Sequence, residues 1–457
     1  MNIDTFKILK LELLHFNVLN VHYNGIFFSN GSFLILCKNG KWIGGNFVRI
    51  LFVTPYPASR IRGRSYGFIT QLAKQHFVES IALCANMREM SDVQALQQEG
   101  IAATAIYEPH IVRYMRGLTA LTSQQPLQVA FDASSRLRRA IGIHLLHGHF
   151  DLLHVELIRT LGAVPSALPV PVVWDAVDCI SQLYEQGGQV GITRMLRIIG
   201  SSEGRRVRAY EHAQLQRFRH VLVTAERDRQ ALLAIARDRE ATAPKQPLAE
   251  ITVLPLGIDQ HYFQTYDGER QAETLIFSGK MSFHANIAGV CSLVRHILPL
   301  IWQKRPTVRL VIAGCDPPAS VRRLARDPRI EVTGYLPDLR SAIAQAQIAV
   351  CPLPYAVGIQ CKVLEAMALG TPVVASTPVA AGLQAIAGRD LLVADEPADF
   401  AAAVLRLLED QAQWRRLATH GVAYIGTHHH WDVIIQQLTA VYAQALNIWQ
   451  EEEVCKV

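Results

Sequence analysis

Pro352-Leu-Pro-Tyr-Ala-Val-Gly358-Ile-Gln360-Cys-Lys362-Val-Leu-Glu365-Ala-Met-Ala-Leu-Gly370-Thr-Pro372-Val-Val-Ala-Ser376 reads as a glycine-bearing loop, a helix, a glycine stop and a strand, and it decides the fold. Ile359, Val363, Leu364, Met367 and Ala368 recur at helical spacing and form the face that meets a sheet, while Lys362 and Glu365, three apart, share another side. Unpaired amides near Gly358 to Cys361 give the helix a positive start that favours phosphate. On residue types alone, Lys362 and Glu365 fit an exposed i,i+3 pair, worth about 0.2–0.5 kcal/mol, as readily as a ligand site.

The same alternation extends in both directions. Strands are expected at 274–278, 308–313, 330–333, 347–351 and 372–375, with helices between them, including one at 359–369. An earlier cycle opens with the strand Val48-Arg49-Ile50-Leu51-Phe52-Val53, which Pro55 and Pro57 end. A loop around Gly63, a helix near 66–75, strands at 79–84, 151–155, 170–174 and 219–223, and a long helical region over 184–219 follow. A chain of 457 residues exceeds what one core serves. The pattern therefore predicts an α/β protein of two tandem Rossmann-like domains facing an interdomain cleft, over 48–250 and 251–457. Pro255 and Gly257 mark a linker, Thr252-Val-Leu-Pro-Leu-Gly-Ile-Asp259, and the final helix, about 431–448, is expected to cross back onto the first domain.

Residues 1–47 stand apart, with seven asparagines and no alanine against three asparagines in all that follows. They fit either an extension pairing as a hairpin through Asn30-Gly31 and Asn39-Gly40, or an upstream region translated from a misplaced start before Val48. Eight cysteines without a Cys-x-x-Cys pair, and no secretory pattern at the start, fit a cytoplasmic protein. No uninterrupted apolar stretch reaches the roughly 18 residues that a membrane span needs, so the chain reads as soluble or peripheral on the inner face of the membrane. Residues 48–250 hold 24 basic and 18 acidic residues, and 251–457 hold 17 and 19. The arginines at 194, 197, 205, 206 and 208 make an anionic membrane surface a candidate partner of the first domain. Nucleic acid is not expected, because no aromatic residues interleave a basic stripe. His428-His-His430 is too tightly spaced for zinc and reads as surface, so no metal is expected.

The 352–376 segment resembles the donor-binding stretch of family 4 retaining glycosyltransferases, in which Glu-Gly-Phe-Gly precedes Leu-Glu-Ala-Met-Ala-x-Gly-x-Pro-Val-Val. The second part matches in full, and the resemblance gives Glu365 the donor ribose. The first acidic residue of the pattern falls at Val357 and is absent. Gly358, Ile359 and Gln360 then present amides to the diphosphate, with Lys362 adding charge. Leu275-Ile-Phe-Ser-Gly279-Lys280 resembles the family's strand ending at the phosphate site, which implies that Gly279 and Lys280 meet the leaving diphosphate; the following lysine of the family falls at Ala285 or Asn286. Tyr335 and Leu336, after Gly334, resemble the segment that meets the nucleotide base, although a plain turn fits equally well.

In the first half, Arg60-Ile-Arg62-Gly63-Arg64 resembles the glycine loop facing acceptor and phosphates, which makes Gly63 and Arg64 site candidates. Asp151-Leu-Leu-His154-Val-Glu156 resembles a strand ending near the reacting centre, with Glu156 in the place of the family's histidine and His154 read as packed. Asp175 and Asp178 end another strand and serve either an acceptor hydroxyl or a helix cap. The chain also looks like sugar transferases of bacterial exopolysaccharide clusters. The resemblance implies sugar transfer from a nucleotide-diphosphate donor to a glycan or lipid-linked acceptor, with Lys280 and Glu156 as catalytic candidates and no cofactor beyond the donor. A nucleotide-sugar epimerase and a noncatalytic nucleotide-sugar-binding scaffold are the alternatives.

Overall fold

The computed structural model describes residues 26–29, 32–36, 42–43, 47–60, 62–189, 194–237 and 249–454. Strands β1 (Ile26–Ser29) and β2 (Ser32–Leu36) pair antiparallel with Ser29 opposite Ser32, so that Asn30-Gly31 is all that separates them. Leu36 faces Trp42 in β3 (Trp42–Ile43), with Asn39-Gly40 between. These are the spacings expected of the hairpin reading.

The first large sheet has seven strands: β4 (Arg49–Thr54), β5 (Phe77–Cys84), β6 (Ala102–Tyr107), β7 (Leu152–Glu156), β8 (Val172–Val177), β9 (His220–Val223) and β10 (Glu250–Val253). Their spatial order is β10-β9-β8-β7-β4-β5-β6, and all pairs are parallel. Ile50, Leu51, Phe52 and Val53 are buried in succession, as a strand covered on both faces requires. The second sheet has six parallel strands, β11 (Gln271–Ser278), β12 (Arg309–Ala313), β13 (Ile330–Gly334), β14 (Ala346–Cys351), β15 (Val373–Ala375) and β16 (Leu392–Val393), in the order β13-β12-β11-β14-β15-β16. Each sheet reverses its winding once, between β4 and β7 in the first and between β11 and β14 in the second. Crevices at the carboxyl ends of such switch points are where open α/β sheets take ligands.

Three strands were not foreseen. β6 is an edge strand, Ala102-Ala-Thr-Ala-Ile-Tyr107, with no fully buried residue, and β16 has two residues, so neither shows the pattern of a strand covered on both faces. β10 takes in Thr252 and Val253, so the linker starts at Leu254 rather than Thr252.

The last helix, Trp431–Val454, returns to the first sheet, where Trp431, Ile434, Leu438, Val441 and Tyr442 share a core with Ile50, Phe52 and Phe68. Trp431 is the wedge of this crossing. A Cβ on Gly67 would lie 1.8 Å from its ring, and one on Gly257 2.4 Å from it, so both glycines are needed for the ring to enter. The expected surface tract at 428–430 is corrected by His429, which is buried, bonds the Leu256 carbonyl through Nδ1 at 2.6 Å and the Tyr424 hydroxyl through Nε2 at 3.1 Å, and so ties the crossing to the linker. Burial pushes its imidazole down to about 4, so it is neutral.

Among the described residues, one helical run, His284–Lys304, is long and apolar enough by composition to cross a membrane. Val290, Leu293, Ile297, Leu298 and Ile301 from that run are committed to the second core.

Trp431→Ala should destabilise the protein by about 3–5 kcal/mol in a urea titration. Gly67→Ala, which drives a methyl into the same ring, should also destabilise it. Unchanged midpoints in both would contradict the wedge.

Candidate active site

At the switch point of the second sheet, β11 ends in Ser278 and runs into Gly279 and Lys280. Gly279 has φ +140, and Gly314 has φ +148 with its would-be Cβ only 1.8 Å from the Gly279 carbonyl. Two loops therefore pack backbone to backbone here, which only glycine permits. The Lys362 ammonium reaches Gly279 from the other side of the switch point, 3.0 Å from that glycine's would-be Cβ and 4.6 Å from the Phe277 ring centroid. It donates to Asn286 Oδ1, and Asn286 Nδ2 donates to the Lys280 carbonyl at 2.8 Å. Burial pushes the Lys362 pKa down, against the pull of Glu365.

Lys280 itself is 65% exposed and 3.9 Å from the equally open Asp316, a surface pair of little strength, so its ammonium is free to turn to a ligand. The helix Cys361–Ala368 starts without a side-chain cap, because the Gln360 amide donates to the Val357 carbonyl at 3.1 Å instead. Its uncapped amino end, Lys362 and Lys280 converge on one anion-favouring region. One turn on, Glu365 faces a cavity shared with Arg60, Gly63, Tyr262, Cys361 and Trp431, and burial raises its carboxyl to about 7. Tyr335 is half-exposed, with the Arg88 guanidinium of the first half 4.8 Å over its ring, and Leu336 packs on the second core.

The corresponding crevice of the first sheet is lined by carboxylates. Glu156 ends β7 and accepts from Ser65 Oγ at 2.5 Å. Burial, reinforced by Asp175, raises it to about 7. Leu157 and Val177, at the ends of β7 and β8, have φ of 63° and 68°, a costly region for branched side chains. Arg64, expected to face a phosphate, is buried: it donates to both Asp175 oxygens at 2.7 and 2.9 Å and to the Leu254 and Pro255 carbonyls at 3.0 and 3.2 Å. The helix Gly63–Leu72 turns Arg64 and Ser65 toward the sheet, which the loop's sequence did not reveal. Arg62 is held by Glu89 and the Pro57 carbonyl, so Arg60 is the loop arginine that lines the cavity, and it stands 5.3 Å over the Tyr262 ring. His154 is packed as expected, stacked on Phe52 and hydrogen-bonded to Tyr442 at 2.8 Å.

The two crevices meet at Gly358. Its amide donates to Asp228 Oδ2 at 3.0 Å, and its φ of +58 lets it lie where a Cβ would strike Asp178 Oδ1 at 1.7 Å. The Gly358 amide, expected at a diphosphate, is thus on Asp228. Asp228 also accepts from the Cys179 amide at 2.9 Å, so that two backbone amides compensate this buried carboxylate. Burial and the Asp228 charge raise the pKa of Asp178. Sequence reasoning missed Asp228 altogether, since an acidic residue in the first turn of a helix is commonplace.

Comparison with known proteins bears on the fold and on the class of protein. Residues 272–410 match the family model described as glycosyl transferases group 1. An MMP alpha-(1->4)-mannosyltransferase of Mycolicibacterium hassiacum is 29% identical over 217 residues, 45% of this chain and 50% of that protein. The chain thus spans about half the length of that curated relative. Anabaena Alr3699/HepE, solved in complex with UDP, superposes with a TM-score of 0.58 at 13% identity, covering 87% of this chain and 100% of that one. Sucrose-phosphate synthase of Thermosynechococcus elongatus gives 0.63 at 16% identity over 88% and 100%. The fold is GT-B, two parallel-sheet α/β domains, and the matches together support a glycosyltransferase.

A carboxyl raised by folding adds stability that is fully present below its unfolded pKa and is lost as pH rises through its folded value. Asp178→Asn keeps the protonated shape. It should therefore unfold at higher temperature than the wild type near about pH 8.5 and show no advantage near about pH 3, below the unfolded carboxyl pKa of about 3.9. A variant less stable at both would contradict the assignment.

Proposed function

We propose that this chain transfers a sugar from a nucleoside-diphosphate donor to a glycan or lipid-linked acceptor with retention, in the manner of family 4, and with no cofactor beyond the donor. The observation that carries this reading is the convergence of the Gly279 loop, Lys280, Lys362 and an uncapped helix start at one switch point, with Glu365 one turn away. HepE, which shares the fold, is a protein whose structures hold UDP and UDP-glucose, and the curated relative is named a mannosyltransferase. In this reading the bond from the anomeric carbon to the diphosphate breaks, and the nucleoside diphosphate leaves with the electron pair. The acceptor oxygen bonds to the same carbon and passes its proton to the departing diphosphate oxygen.

Lys280 meets the charge growing on the leaving group, while Gly279, Lys362 and the amides of Ile359 and Gln360 hold the diphosphate. Glu365 takes the ribose, and Tyr335 and Leu336 the base side. Glu156 faces the acceptor hydroxyl, with Gly63 in the loop beside it. Asp175 and Arg64 act through the shape of the crevice, because Arg64 takes both Asp175 oxygens and also donates to the Leu254 and Pro255 carbonyls.

Lys280→Ala should lower turnover by about 10- to 100-fold, the equivalent of one charge-assisted contact, while the protein stays folded. Glu365→Gln should mainly weaken nucleotide binding. Release of nucleoside diphosphate with and without acceptor sugars, alongside a nucleotide titration, separates transfer from epimerisation and from mere binding. Unchanged affinity and activity in both folded variants would overturn the placement.

A further inference from the structure

The helix His110–Thr119 is built inside out. Ile111, Tyr114, Met115 and Leu118 recur at i, i+3, i+4 and i+7, yet they are 66, 61, 57 and 59% exposed, and Leu121 in the next turn is 54% exposed. The charged residues point inward instead. Arg113 is 5% exposed, bonded to Asp132 and 4.8 Å over the Phe131 ring, and Arg116 is paired with Glu108. A helix serving only its own core turns its apolar stripe inward. Scattered apolar side chains on a surface are ordinary, but a contiguous stripe of five marks a contact surface.

Its place and its rim define the partner. The helix follows β6, and because every strand of that sheet is parallel, it lies at the carboxyl edge, where Glu156 and Asp178 also lie. Asp132 links the two places, since it accepts from Arg113 of the helix and from Arg159 in the turn after Glu156. A cation stands at each end of the stripe: Arg136 donates to the Tyr107 carbonyl at 3.2 Å, and Arg206 to the Leu121 carbonyl at 3.0 Å. The carboxylates nearby are engaged, Glu108 by Arg116 and Glu203 by the Leu127 amide and Arg206. Of the arginines first singled out, Arg206 borders the stripe and Arg208 is paired with Glu185, while the side chains of Arg194 and Arg197 lie outside the described residues.

We propose that this stripe lies in the interface of a membrane leaflet carrying anionic lipid, with the apolar side chains among the upper acyl groups and Arg136 and Arg206 at the headgroups. The first-sheet crevice then opens beside the leaflet. This deepens the lipid-linked acceptor reading and rests on it for its purpose. Vesicle binding is measured without donor or acceptor, so its failure leaves the transfer reading standing.

The test is co-sedimentation of the full chain at low salt with phosphatidylcholine vesicles and with vesicles containing about one third phosphatidylglycerol. The wild type should bind the anionic vesicles and bind neutral ones weakly. The triple variant Ile111→Ser, Met115→Ser, Leu118→Ser should lose at least about tenfold in partitioning with an unchanged melting temperature. Arg136→Gln with Arg206→Gln should remove the preference for anionic lipid. Leu146→Ser, an exposed apolar residue on another helix, should bind as the wild type does. Failure of the wild type to bind anionic vesicles, or wild-type binding by the triple variant, would overturn the proposal. So would a solution dimer that the triple variant disperses, which would assign the stripe to a second copy of the chain.

Discussion

The buried guanidinium of Arg64 is the constraint on which the arrangement of the two halves depends. A fixed charge so deep persists only when every donor has a partner, and removing one partner of such a pair typically costs about 3–5 kcal/mol. Its partners are Asp175 in the first sheet and the carbonyls of Leu254 and Pro255, where the chain leaves for the second domain. Satisfying Arg64 therefore fixes the start of the Gly63–Leu72 helix and the exit path of the linker together. His154 extends the network, standing 3.7 Å from Asp175 and bonded to Tyr442 on the returning helix.

The contacts across the cleft are of another kind. Asp228 takes one amide of Gly358, Arg227 donates to the Pro378 carbonyl at 3.0 Å, and Arg60 and Arg88 stand over tyrosine rings of the second half. Each is a single polar contact, contributing about 1–3 kcal/mol. The hinge is thus held by more and stronger contacts than the cleft, an arrangement suited to the proposed donor entering and leaving. Asp178 and Asp228 bring carboxylates to the amino end of the helix at Cys361, where an anionic ligand would also be drawn.

Most of the fold was legible because parallel strands buried on both faces leave apolar runs that sequence displays openly, as at 48–53 and 347–351. The edge strand Ala102–Tyr107 was not, since its burial is partial. In the site, the 358–370 segment could be read because its chemistry is local: loop, helix start and Glu365 follow one another in the chain. What escaped was long-range pairing. Nothing in the spacing of Arg60, Arg62 and Arg64 says which of them turns inward, and the bond from Lys362 to Asn286 joins residues 76 positions apart. Asp228 and Gly358 are 130 apart, and the inverted helix at 110–119 looks like any core helix until its neighbours are known.

The proposed transfer requires a donor diphosphate held at the switch point of the second sheet. A crystal structure of the full chain with a nucleoside diphosphate tests this most directly. The terminal phosphate is predicted to lie within hydrogen-bond distance of the Lys280 or Lys362 ammonium and of an amide at the start of the Cys361–Ala368 helix, with the ribose at Glu365. A diphosphate bound instead at the Arg60–Gly63 loop, away from Gly279 and the helix start, would contradict it.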